Sequence, residues 1–180
     1  MDNYQVFIIS QGRDGSTLLL RILNEIPGYN IYGENFNMIG SMMDIHIGLN
    51  TITGMISRSD YDKKSIENPK YKPSWYNSYN KDDVNKNIKG FLESIINDCD
   101  ARVWGCKEIR WAVDYQDKKT LIPYKQFHKR LDHLKSLYPN CKFIFTERDL
   151  ESQLKSGWWQ TTENARDIIS KLKKYYQRYM

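Results

Sequence analysis

The sequence predicts an α/β protein with a central, mainly parallel sheet of about four strands flanked by helices. Three observations carry this. Short apolar runs rich in β-branched and aromatic residues recur along the chain, at Val6 to Ile9, Tyr29 to Tyr32, Arg102 to Ile109 and Cys141 to Thr146. Longer segments with apolar residues at helical spacing separate most of them. The alternation itself favours parallel strands covered on both faces.

The first strand and helix frame the most informative stretch. After Val6 to Ile9 come Ser10, Gln11, Gly12, Arg13, Asp14, Gly15, Ser16 and Thr17, then Leu18, Leu19, Leu20, Ile22, Leu23 and Ile26. A glycine-bearing loop entering a helix offers open backbone donors and a partial positive charge, which suit a phosphate or sulfate. Ser16 and Thr17 add hydroxyls, and Arg13 adds a permanent forked cation. A nucleoside triphosphatase loop would place Gly where Ser10 stands and Lys where Ser16 stands, so ATP or GTP is the weaker reading. The loop alone leaves open an ordinary turn with glycines for geometry.

Pro27 and Gly28 end the first helix, and the strand Tyr29 to Tyr32 leads to Gly33, Glu34 and Asn35. Glu34 therefore falls past a strand's carboxyl end, the edge where open α/β sheets bind ligands. Phe36 to Ile56 reads as a helix, and Ser57 to Lys81, with Pro69, Pro73 and several aromatics, as a long irregular insertion. Asp82 to Asp98 reads as a helix with Val84, Ile88, Phe91, Leu92, Ile95 and Ile96 on one face and Asp82 or Asp83 as its cap. The strand Arg102 to Ile109 carries Lys107 and Glu108 near its end. A helix over Pro123 to Tyr138, the strand Cys141 to Thr146, a helix capped by Asp149 and a basic last helix over Asn164 to Tyr179 complete the chain.

The 180 residues suit one domain, 1–180, with an acceptor-side insertion at about 36–81. Hydrophobic content of 40% with 27% charged residues fits a soluble globular protein, and no apolar run approaches the length that crosses a bilayer. No secretory signal is visible, and the odd set Cys99, Cys106 and Cys141 lacks metal-ligand spacing, so reduced thiols and a cytoplasmic location are expected. The net charge of +5 suits an anionic ligand without specifying one.

A second pair of residues lies late in the chain. Arg148 follows the fourth strand directly, and Ser156 comes eight residues later, about two turns into the next helix. The pair could clasp another phosphate, or Arg148 could merely pair with Glu147 or Glu151.

Together, GRDGSTLL after the first strand and FIFTERDLESQLKSG after the fourth resemble the two cofactor motifs of the sulfotransferase family, over a scaffold from about Tyr4 to Trp159. The resemblance implies a P-loop-like three-layer fold and transfer of a sulfuryl group from 3'-phosphoadenosine 5'-phosphosulfate (PAPS), leaving adenosine 3',5'-bisphosphate (PAP). It implies that Gln11, Gly12, Arg13, Asp14, Gly15, Ser16 and Thr17 hold the phosphosulfate, and Arg148 and Ser156 the 3'-phosphate. The branch with protein-tyrosine and glycan sulfotransferases is the most similar: its members have an Arg in the loop, here Arg13, a Glu base after the second strand, here Glu34, and often a Lys with an acid after the third, here Lys107 and Glu108. Leu18 stands where the small-molecule branch has an aromatic residue. The acceptor implied is a glycan, a peptide tyrosine or a small molecule, with no metal and no nucleic acid. A non-catalytic nucleotide or nucleic-acid binding module is the alternative, and a nucleotide kinase a remoter one.

His46 is a minor rival for the base, while His128 and His133 read as solvated helix residues. Trp75, Tyr76, Tyr79, Trp111, Trp158 and Trp159 are candidates for an acceptor groove or for packing.

Overall fold

A computed structural model describes residues 4–56, 80–97, 100–113 and 120–180. Four parallel strands, β1 (Tyr4–Ile9), β2 (Tyr29–Tyr32), β3 (Val103–Glu108) and β4 (Lys142–Phe145), form one sheet in the order β2-β3-β1-β4. The helices are α1 (Ser16–Asn24), α2 (Met38–Ile56), α3 (Lys81–Ile96), α4 (Tyr124–Leu137), α5 (Leu150–Leu154) and α6 (Ala165–Tyr179), with a 3₁₀ turn at Gly157–Thr161. The expected α/β architecture is the observed one, with strand bounds differing by one or two residues at the ends.

The period-two alternation of β1 sorts its side chains onto two layers. Val6 and Ile8 join Ile31 and Val103 under Leu19, Leu20 and Leu23 of α1. Phe7 and Ile9 face the larger layer, where Ile39 and Met43 of α2, Leu92 of α3, Phe127, Leu131 and Leu134 of α4 and Tyr176 of α6 meet Trp104 and Cys106. β1 is thus apolar on both faces because both faces are covered. Gly105 of β3 permits the close approach of β1: a Cβ there would stand 1.9 Å from the Val6 carbonyl oxygen.

Several local expectations are corrected. Leu19, Leu20 and Leu23 are the side of α1 that packs on the sheet, while Leu18 and Ile22 face outward. Phe91 likewise lies on the exposed side of α3. The cap of α3 is Asn80, whose side chain accepts from the amides of Asp82 and Asp83; those two occupy the first turn instead. Asp149 does cap α5, accepting from the Ser152 amide at 2.9 Å. That helix, however, stops at Leu154, so Ser156 lies in extended backbone beyond it rather than two turns inside. His128 is partly buried between Tyr124 and Tyr179, and His133 packs on His46 with ring centres 4.4 Å apart; neither is simply solvated.

Cys106 and Cys141 are buried free thiols. Burial pushes Cys141 up to about 11 and Cys106 higher still, with the Glu108 charge adding to the latter. Cys99 and residues 57–79 of the expected insertion, with Trp75, Tyr76 and Tyr79, lie outside the described residues. No helix among the described residues is long and apolar enough to cross a membrane.

Candidate active site at the carboxyl edge of the sheet

Because all four strands run the same way, the chain leaves each of them at one edge. The loops after β1, β2, β3 and β4 therefore converge there, and Gln11 to Thr17, Glu34, Lys107, Arg148 and Ser156 all stand on or beside one of them.

The loop after β1 is folded around its own carboxylate. Asp14, mostly buried, accepts from the Ser10 hydroxyl at 2.9 Å, the Gln11 amide at 2.9 Å, the Ser16 amide at 3.2 Å and the Thr146 hydroxyl at 2.7 Å. Ser10 and Ser16 share a further bond at 2.8 Å, and the Gly12 amide donates to Ser10. Asp14 braces the loop from within. Gly12, Arg13 and Gly15 all take left-handed conformations. At Gly12 the space demands glycine as well, since a Cβ would come within 2.4 Å of the Trp158 ring.

The segment after β4 grips this loop directly. Gln153 Nε2 and Trp159 Nε1 donate to the Gly12 carbonyl at 3.0 and 3.2 Å, Arg148 donates to the Arg13 carbonyl at 3.3 Å, and Arg13 Nε donates to the Ser156 hydroxyl at 3.3 Å. Glu151, a suggested partner for Arg148, is engaged by Arg166 at 2.7 Å. The two sequence motifs, more than 130 residues apart, form one structure.

Opposite them stands the acidic side of the cleft. The chain leaves β2 at Tyr32, which pairs with Cys106, so Glu34 emerges level with the last residues of β3. Glu34 Oε1 accepts from Lys107 Nζ, and Oε2 accepts from Arg110 at 3.3 Å. Both carboxylate oxygens are thereby oriented. Glu108 is fully buried and ties the two loops together: Oε2 accepts from the amides of Asn35 at 3.2 Å and Asn37 at 2.7 Å, and Oε1 from those of Ile109 at 2.8 Å and Arg110 at 3.0 Å. These bonds hold Phe36 and Asn37 in left-handed backbone, a conformation that costs about 1 kcal/mol or more per non-glycine residue.

The resulting cleft has a volume of about 320 Å³. Gly12, Arg13, Gly15, Ser16, Thr17, Glu34, Lys107, Arg148 and Ser156 line it, together with Ile109 and Trp158. Among the described residues three cations there face one carboxylate, so the cleft attracts a multiply charged anion. Of the expected cofactor contacts, Gln11 and Asp14 are not on its wall: Asp14 is turned into the loop, and Gln11 borders a second cavity. That cavity, about 510 Å³, adjoins the first and shares Glu34, Ile109 and Trp158 with it. Trp158 and Trp159 line it, whereas Trp111 is core, edge-on to Phe7. His46 is buried against His133 between α2 and α4 and lines neither space.

Sequence reasoning missed Asp14 as an internal brace and missed Gln153, Arg110 and the full role of Glu108. Only the acid beside Lys107 gave any signal. Among the described residues no group of three or more His, Cys, Asp or Glu could hold a metal ion.

A parallel α/β sheet with a glycine-bearing loop at a helix N-terminus and a cationic cleft on its carboxyl edge defines a P-loop-like, anion-binding class of protein. The chain belongs to the sulfotransferase family, whose family model matches residues 5–180 and so spans all four strands and both halves of the cleft. Membership supports sulfuryl transfer as its general activity. No match is found among curated proteins.

Proposed function

We propose that this protein transfers a sulfuryl group from PAPS to a hydroxyl or amine of an acceptor, with Glu34 as general base, and that it belongs with the branch using a glutamate base. The observation that carries this is the convergence of Arg13, Ser16, Thr17, Arg148, Ser156, Lys107 and Glu34 on one cleft.

The residues fit PAPS and its product PAP. Gly12 to Thr17 would hold the phosphosulfate at the start of α1, and Arg148 with Ser156 the 3'-phosphate, through charge-assisted bonds. When bound, PAPS would supply an electrophilic sulfur for the acceptor atom, with PAP as the leaving group that takes the electron pair of the broken S–O bond. Arg13 and Lys107 stand where charge on the leaving side would be stabilised by groups already oriented. Glu34, held by Lys107 and Arg110, would take the acceptor's proton, and its place between the two cavities puts it within reach of both. Lys107 can serve both sides, moving from Glu34 toward the anion.

The acceptor is a glycan, a peptide tyrosine or a small molecule. Free, buried Cys106 and Cys141 are in keeping with a reducing, cytoplasmic setting.

The test is turnover of Glu34→Gln with PAPS and a panel of sugars, phenols and peptides. Loss of the base is expected to lower kcat by about 10² to 10⁴. PAP affinity by calorimetry should stay the same or rise, because Lys107 is released. Unchanged turnover would remove Glu34 from the mechanism, and absence of sulfated product with any acceptor would refute the enzyme in favour of a binding module.

A further inference from the structure

We infer that Arg13 selects the donor: its guanidinium joins Arg148 and Ser156 in gripping the 3'-phosphate, while the backbone of the same loop faces the phosphosulfate. This rests on the proposed use of PAPS and adds to it the residue by which the protein tells PAPS from a nucleotide that lacks the 3'-phosphate.

Its place in the sequence groups Arg13 with the phosphosulfate loop, but its side chain leaves that loop. The backbone is left-handed, with φ 60°, and the side chain lies along the segment after β4. Nε donates to the Ser156 hydroxyl at 3.3 Å. The stretch from Cδ to Cζ runs over Gly157, where a Cβ would stand 3.0 Å from Cδ, 2.7 Å from Nε and 3.3 Å from Cζ. Gly157 is itself left-handed at φ 58°, so the missing Cβ serves both its own backbone and the seat of Arg13. The guanidinium is 5.9 Å from the centre of the Trp158 ring, and Arg148 returns a hydrogen bond to the Arg13 carbonyl at 3.3 Å. Three consecutive residues after α5 thus hold one side chain from the far end of the chain.

Ser156 is the hydroxyl assigned above to the 3'-phosphate. A cation bonded to that hydroxyl is in reach of an anion that the hydroxyl also binds. Among the described residues Nε is the only guanidinium nitrogen of Arg13 with a hydrogen-bond partner, so both Nη groups of the fork can turn to a ligand. Arg148 supplies a second fork on the same wall, and two guanidinium groups with a hydroxyl suit the oxygens of a terminal phosphate.

The charges of donor and cleft match on this assignment. In PAPS the 5'-phosphate and the sulfate each have a single ionised oxygen, whereas the 3'-phosphate is a monoester carrying about −1.5 to −2 at pH 7. Arg13 and Arg148 meet the more charged end. The other end has the start of α1, with the backbone and hydroxyls of Ser16 and Thr17, and Lys107 across the cleft beside Glu34. The nucleotide bearing the 3'-phosphate is also the leaving group, so Arg13 keeps its place on the leaving side.

The test is calorimetry of the parent and of Arg13→Met, which keeps the stem along Gly157 and Trp158 and removes the charge. The ligands are PAP, adenosine 5'-phosphate and adenosine 3'-phosphate. Arg13→Met should weaken PAP and adenosine 3'-phosphate by about ten- to a hundredfold, the effect of losing charge-assisted bonds, and adenosine 5'-phosphate by less than about threefold. Gly157→Ala, which pushes Arg13 off its seat without removing a charge, should show the same pattern at smaller size. Equal losses for the two mononucleotides, a loss confined to adenosine 5'-phosphate, or no loss at all would overturn the inference and leave the donor reading standing. A parent that binds no PAP would overturn both. Should the mononucleotides bind too weakly to compare, Arg13→Met combined with Ser156→Ala decides on PAP alone: groups gripping one phosphate give losses that do not add, and additive losses would count against a shared site.

Discussion

Glu108→Gln offers the sharpest test of how the acidic side of the cleft is built. The parent carboxylate is fully buried and accepts four backbone amides, two on each oxygen, plus the Arg110 guanidinium at 3.4 Å. Glutamine has the same shape, but its NH₂ must replace one oxygen. Whichever way it turns, it presents hydrogens to two amides that are themselves donors. Each amide so orphaned costs about 1–2 kcal/mol, and the bonds that survive lose their charge assistance, so the sum is about 4 kcal/mol. For a chain of this size each kcal/mol shifts Tm by roughly 2–4 °C, which gives a fall of about 10 °C in a thermal melt. The loss should concentrate on the loop carrying Glu34, since Asn35 and Asn37 lose their anchor. Arg13 and Arg148 are set by a different loop contact, so PAP affinity should change less than turnover. A Tm within about 2 °C of the parent would refute the account of Glu108 as the clamp between the two loops.

Two further outcomes follow from the geometry. Gly12→Ala places a left-handed alanine whose Cβ meets the Trp158 ring at 2.4 Å; we expect about 1–2 kcal/mol of strain and, as the loop shifts, at least a tenfold loss of PAP affinity by calorimetry, while parent-like binding would contradict the packing. His128 is held below its ordinary value, chiefly by burial, against the opposing pull of Asp132 and of a backbone hydrogen bond at Tyr175. The unfolded chain then binds more protons below about pH 6.5, so stability is lost as pH falls through that value toward the lower folded one. His128→Phe should therefore show a smaller drop in Tm between about pH 7.5 and 5.5 than the parent, and equal drops would exclude His128 as a source.

The contrast between Glu34 and Glu108 shows what local patterns can reveal. Glu34 was legible because it follows a short strand, and in a parallel sheet that position already implies the ligand edge. Glu108 is next to Lys107 in sequence, yet their roles separate through alternation along the strand end: Lys107 reaches Glu34, while Glu108 turns inward to collect amides. Gln11 and Asp14 lay in the right loop but not on the expected wall, because a tight turn points adjacent side chains in different directions. Only the folded loop decides which.

The sequence by itself determined the strands, the helices, the parallel sheet and the short roll of polar residues at its carboxyl edge. Periodicity, turn chemistry and strand direction are local properties, and each is written in neighbouring residues. Tertiary structure alone decided that Arg13 and Ser156 touch, that Trp158 closes on Gly12, and that Gln11 borders a second cavity rather than the first. These contacts depend on strand order. Placing β4 beside β1 and β3 on its other flank brings distant loops together, and nothing within any one loop encodes its neighbour across the sheet.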